Sequence, residues 1–183
     1  MERRLIFTIG HSNRSIGEFV DILEKHAISV LLDIRAMPGS RANPQFNADA
    51  LGAALKKRGI QYINMEALGG FRKPMKDSKN TYWRNPSFRG FADYMQTSEF
   101  DAAIEKAGKI AALNRTVLMC AEVLPWRCHR YLIADALCLR GFKVIHILNS
   151  TVLKEHSLTA GANVYRRTKL YYPTKAVEKS QQS

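Results

Sequence analysis

Between positions 120 and 130 the chain reads Cys-Ala-Glu-Val-Leu-Pro-Trp-Arg-Cys-His-Arg, which concentrates two thiols, a carboxylate, an imidazole and two guanidinium groups in one short segment. The thiolate is the nucleophilic form of cysteine, and nearby cations or a helix N-terminus lower its pKa from about 8.5. Pro125 suits a first helical turn, so the pattern predicts a helix over 125–140 with Arg127, Cys128 and His129 near its start. Cys128 is therefore a candidate nucleophile and Cys120 a second one. His129 stands three and four residues before Leu132 and Ile133, at the head of the stripe expected to face the core. An imidazole there suits general acid or base work, and Glu122 completes the catalytic set.

Structural readings of the same residues stand beside these. Cysteine is commonly buried as a small hydrophobe, which suits Cys138 between Leu137 and Leu139 and applies to Cys128 as well. Glu122 can be the ion-pair partner of Arg127 or Arg130. Cys120, Glu122, Cys128, His129 and His11 are all zinc-competent types. However, there is no Cys-x-x-Cys or His-Glu-x-x-His, and adjacent Cys128 and His129 do not readily turn to one ion. No metal and no other cofactor is expected, with zinc as the alternative.

The elements that must position these groups follow from hydrophobic periodicity. Residues 5–9 form a short β-prone run ending at Gly10. Ser15-Ile16-Gly17-Glu18 has the spacing of a capping box and opens a helix to about His26. Residues 29–33 read as a buried strand, and Asn47 or Asp49 can cap a helix that Gly59 ends. Residues 61–63, 116–120 and 143–147 are further strands, with helices over 88–96 and 99–113. Over 64–88 no period survives Gly69, Gly70, Pro74 and Pro86, so this stretch is an insertion or lid. Alternating strands and helices predict one three-layer α/β domain over 1–160, a mostly parallel five-stranded sheet with helices on both faces. Residues 161–183 form a basic, aromatic tail.

In such a sheet ligands bind beyond the carboxyl ends of the strands. Those ends carry His11, Ser12 and Asn13, then Asp33 and Arg35, then Cys120 and Glu122. With Arg127 and Arg130, the first five are the candidate substrate-binding residues.

A strand ending in cysteine before a loop and helix is similar to rhodanese-like sulfurtransferases and cysteine phosphatases. The spacing from Cys120 to Arg127 is one residue longer than in the phosphatase loop, and Glu122 would repel an anion there. Thr8-Ile9-Gly10-His11-Ser12, Asp33-Ile34-Arg35 with Pro38 and Ser40, and Cys120-Ala121-Glu122 with Cys128-His129-Arg130 resemble a bacterial domain-of-unknown-function family, number 488. The resemblance spans about residues 5 to 150. It implies that His11, Asp33, Arg35, Cys120, Glu122, Cys128, His129 and Arg130 belong to one site, and it implies no activity.

The chain has 183 residues and a formal charge of +12. This favours anionic partners. Much of the excess falls in two segments: residues 71–90, with Arg72, Lys73, Lys76, Lys79, Arg84 and Arg89 against Asp77, and residues 164–183. Both also carry aromatics, among them Phe71, Tyr82, Trp83, Phe88, Tyr165, Tyr171 and Tyr172, and cations with exposed rings are what base stacking requires. Three clustered cysteines are no disulfide framework. The apolar run of residues 5–7 is too short for a signal peptide, and no run is long enough to span a membrane, so a cytoplasmic protein is expected. Two functions follow: an uncharacterised enzyme, a cysteine-dependent or His/Glu-dependent hydrolase or transferase acting on an anionic substrate such as a nucleotide or nucleic acid, and a non-catalytic nucleic-acid-binding domain that uses the basic insertion and tail.

Overall fold

The computed structural model describes residues 4–165 and 167–174. Arg166 and the basic residues Lys175 and Lys179 of the expected tail lie outside them. The elements run β1 (Arg4–Gly10), α1 (Ile16–Lys25), β2 (Val30–Asp33), α2 (Ala48–Lys56), β3 (Gln61–Asn64), α3 (Pro86–Tyr94), α4 (Ser98–Leu113), β4 (Thr116–Cys120), α5 (Arg130–Leu139), β5 (Phe142–Ile147), β6 (Leu153–Glu155), β7 (Asn163–Tyr165) and β8 (Lys169–Tyr171).

The main sheet has the order β3-β2-β4-β1-β5-β6. The first five strands are parallel and β6 adds an antiparallel edge beside β5. The sheet is thus mostly parallel and α/β as expected, with one strand more than the periodicity predicts. Three exposed residues, Leu153–Glu155, make that sixth strand, and so short a polar segment carries no alternation to read.

Successive side chains on a strand point to opposite faces, and the core divides accordingly. Ile6, Leu32 and Leu118 pack on one face with α3, α4 and α5 residues such as Phe91, Ile104 and Leu132. Their neighbours Phe7, Leu31 and Val117 pack on the other with Phe19 and Leu23 of α1 and Leu51 and Leu55 of α2. Ser15 caps α1 through a bond from Glu18 N to its Oγ, as its spacing predicts.

This arrangement makes a crevice. β1 and β2 flank β4 and lead to α1 and α2 on one face, whereas β4 leads to α5 on the other. Loops that diverge to opposite faces leave space beyond the strand ends, where an open α/β sheet places its ligand. Gly10 lets the loop after β4 close over the end of β1: a Cβ at this position would lie 1.8 Å from the Glu122 carbonyl oxygen.

The irregular stretch before α3 is tied down by one carboxylate. Asp93 accepts from Met75 N (2.9 Å), Ser78 Oγ (2.6 Å) and Asn80 Nδ2 (2.7 Å). The C-terminal strands are anchored from beneath. Tyr172 is fully buried and donates to Asp135 on α5 (2.8 Å), while its backbone N–H donates to Asn80 Oδ1 (2.9 Å). Trp83 packs against both Phe88 and Tyr172, so several aromatics of the two basic segments form core contacts.

Candidate functional site

A cleft of about 540 Å³ opens at the carboxyl ends of β1, β2 and β4. That volume falls among small-molecule sites, which span about 300–1,000 Å³. Of the residues singled out by type and spacing, His11, Arg35, Cys120, Glu122, Arg127, Cys128 and His129 line it. Ser12, Asn13, Asp33 and Arg130 do not.

The helix expected over 125–140 is broken. Pro125–Arg127 forms a 3₁₀ turn, Cys128 is extended (φ −133°, ψ 145°), and the α-helix starts at Arg130 with His129 as its N-cap residue. The Arg130 side chain accounts for the break. It is 1% exposed and turns back beneath the loop, donating from Nη1 to the Glu122 carbonyl and from Nη2 to the Val123 carbonyl (2.6 Å). Arg130 therefore shapes the loop from below. The extended Cys128 followed by helical His129 also does what adjacency seemed to forbid, since both side chains face one point. Cys128 Sγ and His129 Nδ1 are 3.7 Å apart. One ligand atom each from Cys120, Cys128 and His129 lie within 4.8 Å of one another, close enough to hold a metal ion.

The two thiols differ in character. Burial raises the Cys128 pKa, but a hydrogen bond from Cys120 and the nearby Arg130 guanidinium outweigh it and bring the value down to about 7. The Cys120 thiol, as donor of that hydrogen bond and by burial, is held well above its ordinary value. His129 is shifted down chiefly by burial. Its ring packs on Phe91 at 4.9 Å and against Gly70, whose missing side chain leaves the space, because a Cβ there would sit 3.0 Å from Nδ1. A neutral imidazole with Nδ1 beside a thiol can take a proton from it or return one.

On the opposite side, Arg35 is fixed by its neighbour in sequence. Its Nε donates to Asp33 Oδ1 (2.8 Å), its Nη2 to Asp33 Oδ2 (2.5 Å) and to the Phe46 carbonyl (2.8 Å). Asp33 also accepts from the Tyr62 hydroxyl (2.8 Å). Nη1 lies 3.3 Å from His11 Nε2. Because arginine only donates, Nε2 accepts, and the Nδ1–H of His11 donates to the Ser12 carbonyl (2.7 Å). Burial and then Arg35 lower the His11 pKa, with the Ser12 bond opposing them, so the ring is neutral. Four of the five guanidinium N–H groups are thereby used. The fifth is the second N–H of Nη1.

Glu122 accepts from Leu124 N at 3.0 Å and so braces its own loop while lining the cleft. Ser12 and Asn13 bond each other at the surface (3.2 Å). Further walls that type and spacing did not assign to the site are Met37 and Asn43 after β2, Gly70 and Phe71 from the irregular stretch before α3, and Asn85, Ser87 and Phe88 at the start of α3, while Ser40, part of the motif after β2, also lines the cleft. Phe71 is 82% exposed at φ +61°. Such a backbone is unusual for a bulky residue. No sequence period marks Gly70 or Phe71, and the signal for them was the long stretch without a regular period.

No helix among the described residues is long and apolar enough to cross a membrane. A family model described as "Domain of unknown function DUF488" matches residues 15–137, and the chain belongs to that family. No curated protein and no solved structure matches the chain.

Proposed function

We propose that this DUF488 family member is an enzyme, a hydrolase or group transferase, in which Cys128 attacks an anionic substrate held in the strand-end cleft. The observation that carries this reading is the meeting of Cys120, Cys128 and His129 within 4.8 Å, in a cleft also lined by Arg35 and Arg127. A thiol whose pKa is about 7 supplies thiolate at neutral pH. His129 Nδ1 is placed to take or return its proton, and Cys120 stabilises the thiolate by donating a hydrogen bond. The remaining N–H of Arg35 and the exposed Arg127 would bind the anion, while Glu122 keeps the loop in shape and is the second candidate for proton transfer. No metal takes part in this reading.

Charge selectivity tests it. Iodoacetate ordinarily alkylates thiols no faster than neutral iodoacetamide does. Here iodoacetate should label Cys128 ahead of iodoacetamide, and Arg35→Gln should abolish that preference. Labelling of Cys128 by iodoacetate no faster than by iodoacetamide, or stoichiometric zinc in protein purified without chelator, would overturn the reading.

A second reading, a nucleic-acid-binding surface, is favoured by the exposure of Lys73, Lys76, Lys79 and Arg84 around the exposed Phe71. Against it, Trp83, Phe88 and Tyr172 spend their rings on one another. Binding to single-stranded polynucleotide that falls linearly with log salt would support it, and no binding at low salt would end it.

A further inference from the structure

Cys120 does more in this geometry than donate a hydrogen bond. It ends β4, Cys128 follows the 3₁₀ turn, and both line the same cleft. Their sulfurs lie within 4.8 Å of each other. The loop between them is pinned from below by Arg130, whereas Cys128 itself belongs to neither helix that flanks it. Cys138 sits on α5 and does not line the cleft. Paired thiols at one open site, one of them the readier nucleophile, are the parts that thiol–disulfide exchange requires.

We infer that Cys120 is a resolving cysteine and that the pair reduces low-molecular-weight disulfides bearing carboxylates, with Cys128 as the attacking sulfur. This rests on the nucleophilic role proposed for Cys128. In the first step the Cys128 thiolate forms a bond to one sulfur of the substrate, the S–S bond breaks, and one thiolate leaves and takes a proton from solvent. In the second, Cys120 gives up its proton and attacks Cys128 Sγ. The Cys120–Cys128 disulfide forms, and the second substrate thiolate departs and is protonated. Two protein thiols are oxidised and one substrate disulfide becomes two thiols, so electrons and protons balance without another reactant.

The surroundings favour that order. Once Cys128 is in a mixed disulfide it no longer draws on the Cys120 proton as a thiolate. His129 and Arg130 still act on Cys120 electrostatically in favour of its thiolate, and Arg35 is close enough to be coupled to it. His129, within 4.8 Å, is placed to accept the proton. The carboxylates of the substrate would meet Arg35 and Arg127.

The test uses the reduced full-length chain with oxidised glutathione, followed by intact mass and peptide mapping. The expected course is a transient glutathione adduct at Cys128 that converts to a Cys120–Cys128 disulfide, two hydrogens lighter than the dithiol, with glutathione released. Cys120→Ser should stop at a stable adduct on Cys128, and Cys120→Ala should do the same. A wild-type adduct on Cys128 that persists without conversion would overturn the resolving role while leaving the nucleophile in place. No adduct on Cys128 in any of the three proteins would overturn both.

Discussion

Asp33→Ala probes the buried ion pair that orients the cleft. Asp33 is 0% exposed and Arg35 is 7% exposed. The substitution deletes the acceptors of Arg35 Nε and Nη2, of the Arg35 backbone N–H (3.1 Å) and of the Tyr62 hydroxyl. Removing one partner of a buried pair costs about 3–5 kcal/mol, because the other charge is left uncompensated. In a chain of this length 1 kcal/mol moves Tm by about 2–4 °C, so the melting point should fall by about 6–20 °C. Asp33→Asn keeps the shape and one acceptor oxygen and should lose less. Thermal melts followed by circular dichroism give the number, and the iodoacetate preference at Cys128 should disappear with it. A melting point for Asp33→Ala within about 2 °C of wild type would show that Arg35 is not held as described.

Two further outcomes follow from the packing. Gly10→Ala would force a Cβ against the Glu122 carbonyl and should destabilise the fold severely, whereas Gly17→Ala, with no heavy atom within 4 Å, should be close to neutral. Equal melting curves for the two variants would refute the close approach of the loop to β1. His146 is lowered to about 3 by burial and then by His156, Arg130 and Lys154. Its folded value lies below the ordinary 6.5, so the unfolded chain takes up the proton first as pH falls. Its contribution is complete above about 6.5 and is withdrawn toward 3, reaching a loss of about 2 kcal/mol by pH 5. Urea midpoints at pH 7 and pH 5 measure this, and His146→Gln should flatten the dependence. An unchanged slope would assign it to other groups.

Strands β1, β2 and β4 were legible because each carries a buried apolar run, and β4 ends at Cys120 where the periodicity puts it. The short edge strands were not, since three-residue pieces such as β6 and β7 expose their side chains and show no alternation. The break before α5 was hidden by Pro125, which opens a 3₁₀ turn as readily as an α-helix. What decides between them is Arg130 reaching two carbonyls earlier in the chain, a contact no local pattern encodes. The same holds for Tyr172, whose burial depends on Asp135 far away in sequence. Residue type and strand-end position were enough to gather Cys120, Cys128, His129, His11 and Arg35. They could not separate Arg35, which lines the cleft, from Arg130, which underlies it.

The rate of alkylation of each cysteine against pH, read by peptide mapping, distinguishes a nucleophilic Cys128 from a merely buried thiol. Burial of Cys128, which is 5% exposed, slows its labelling at every pH but leaves the midpoint intact. The expected midpoint for Cys128 is about 7, with Cys120 reacting only at higher pH, and the Cys128 midpoint should rise when Cys120→Ala removes the neighbouring thiol. A Cys128 midpoint at or above the ordinary value of about 8.5, or Cys120 labelling first, would contradict it.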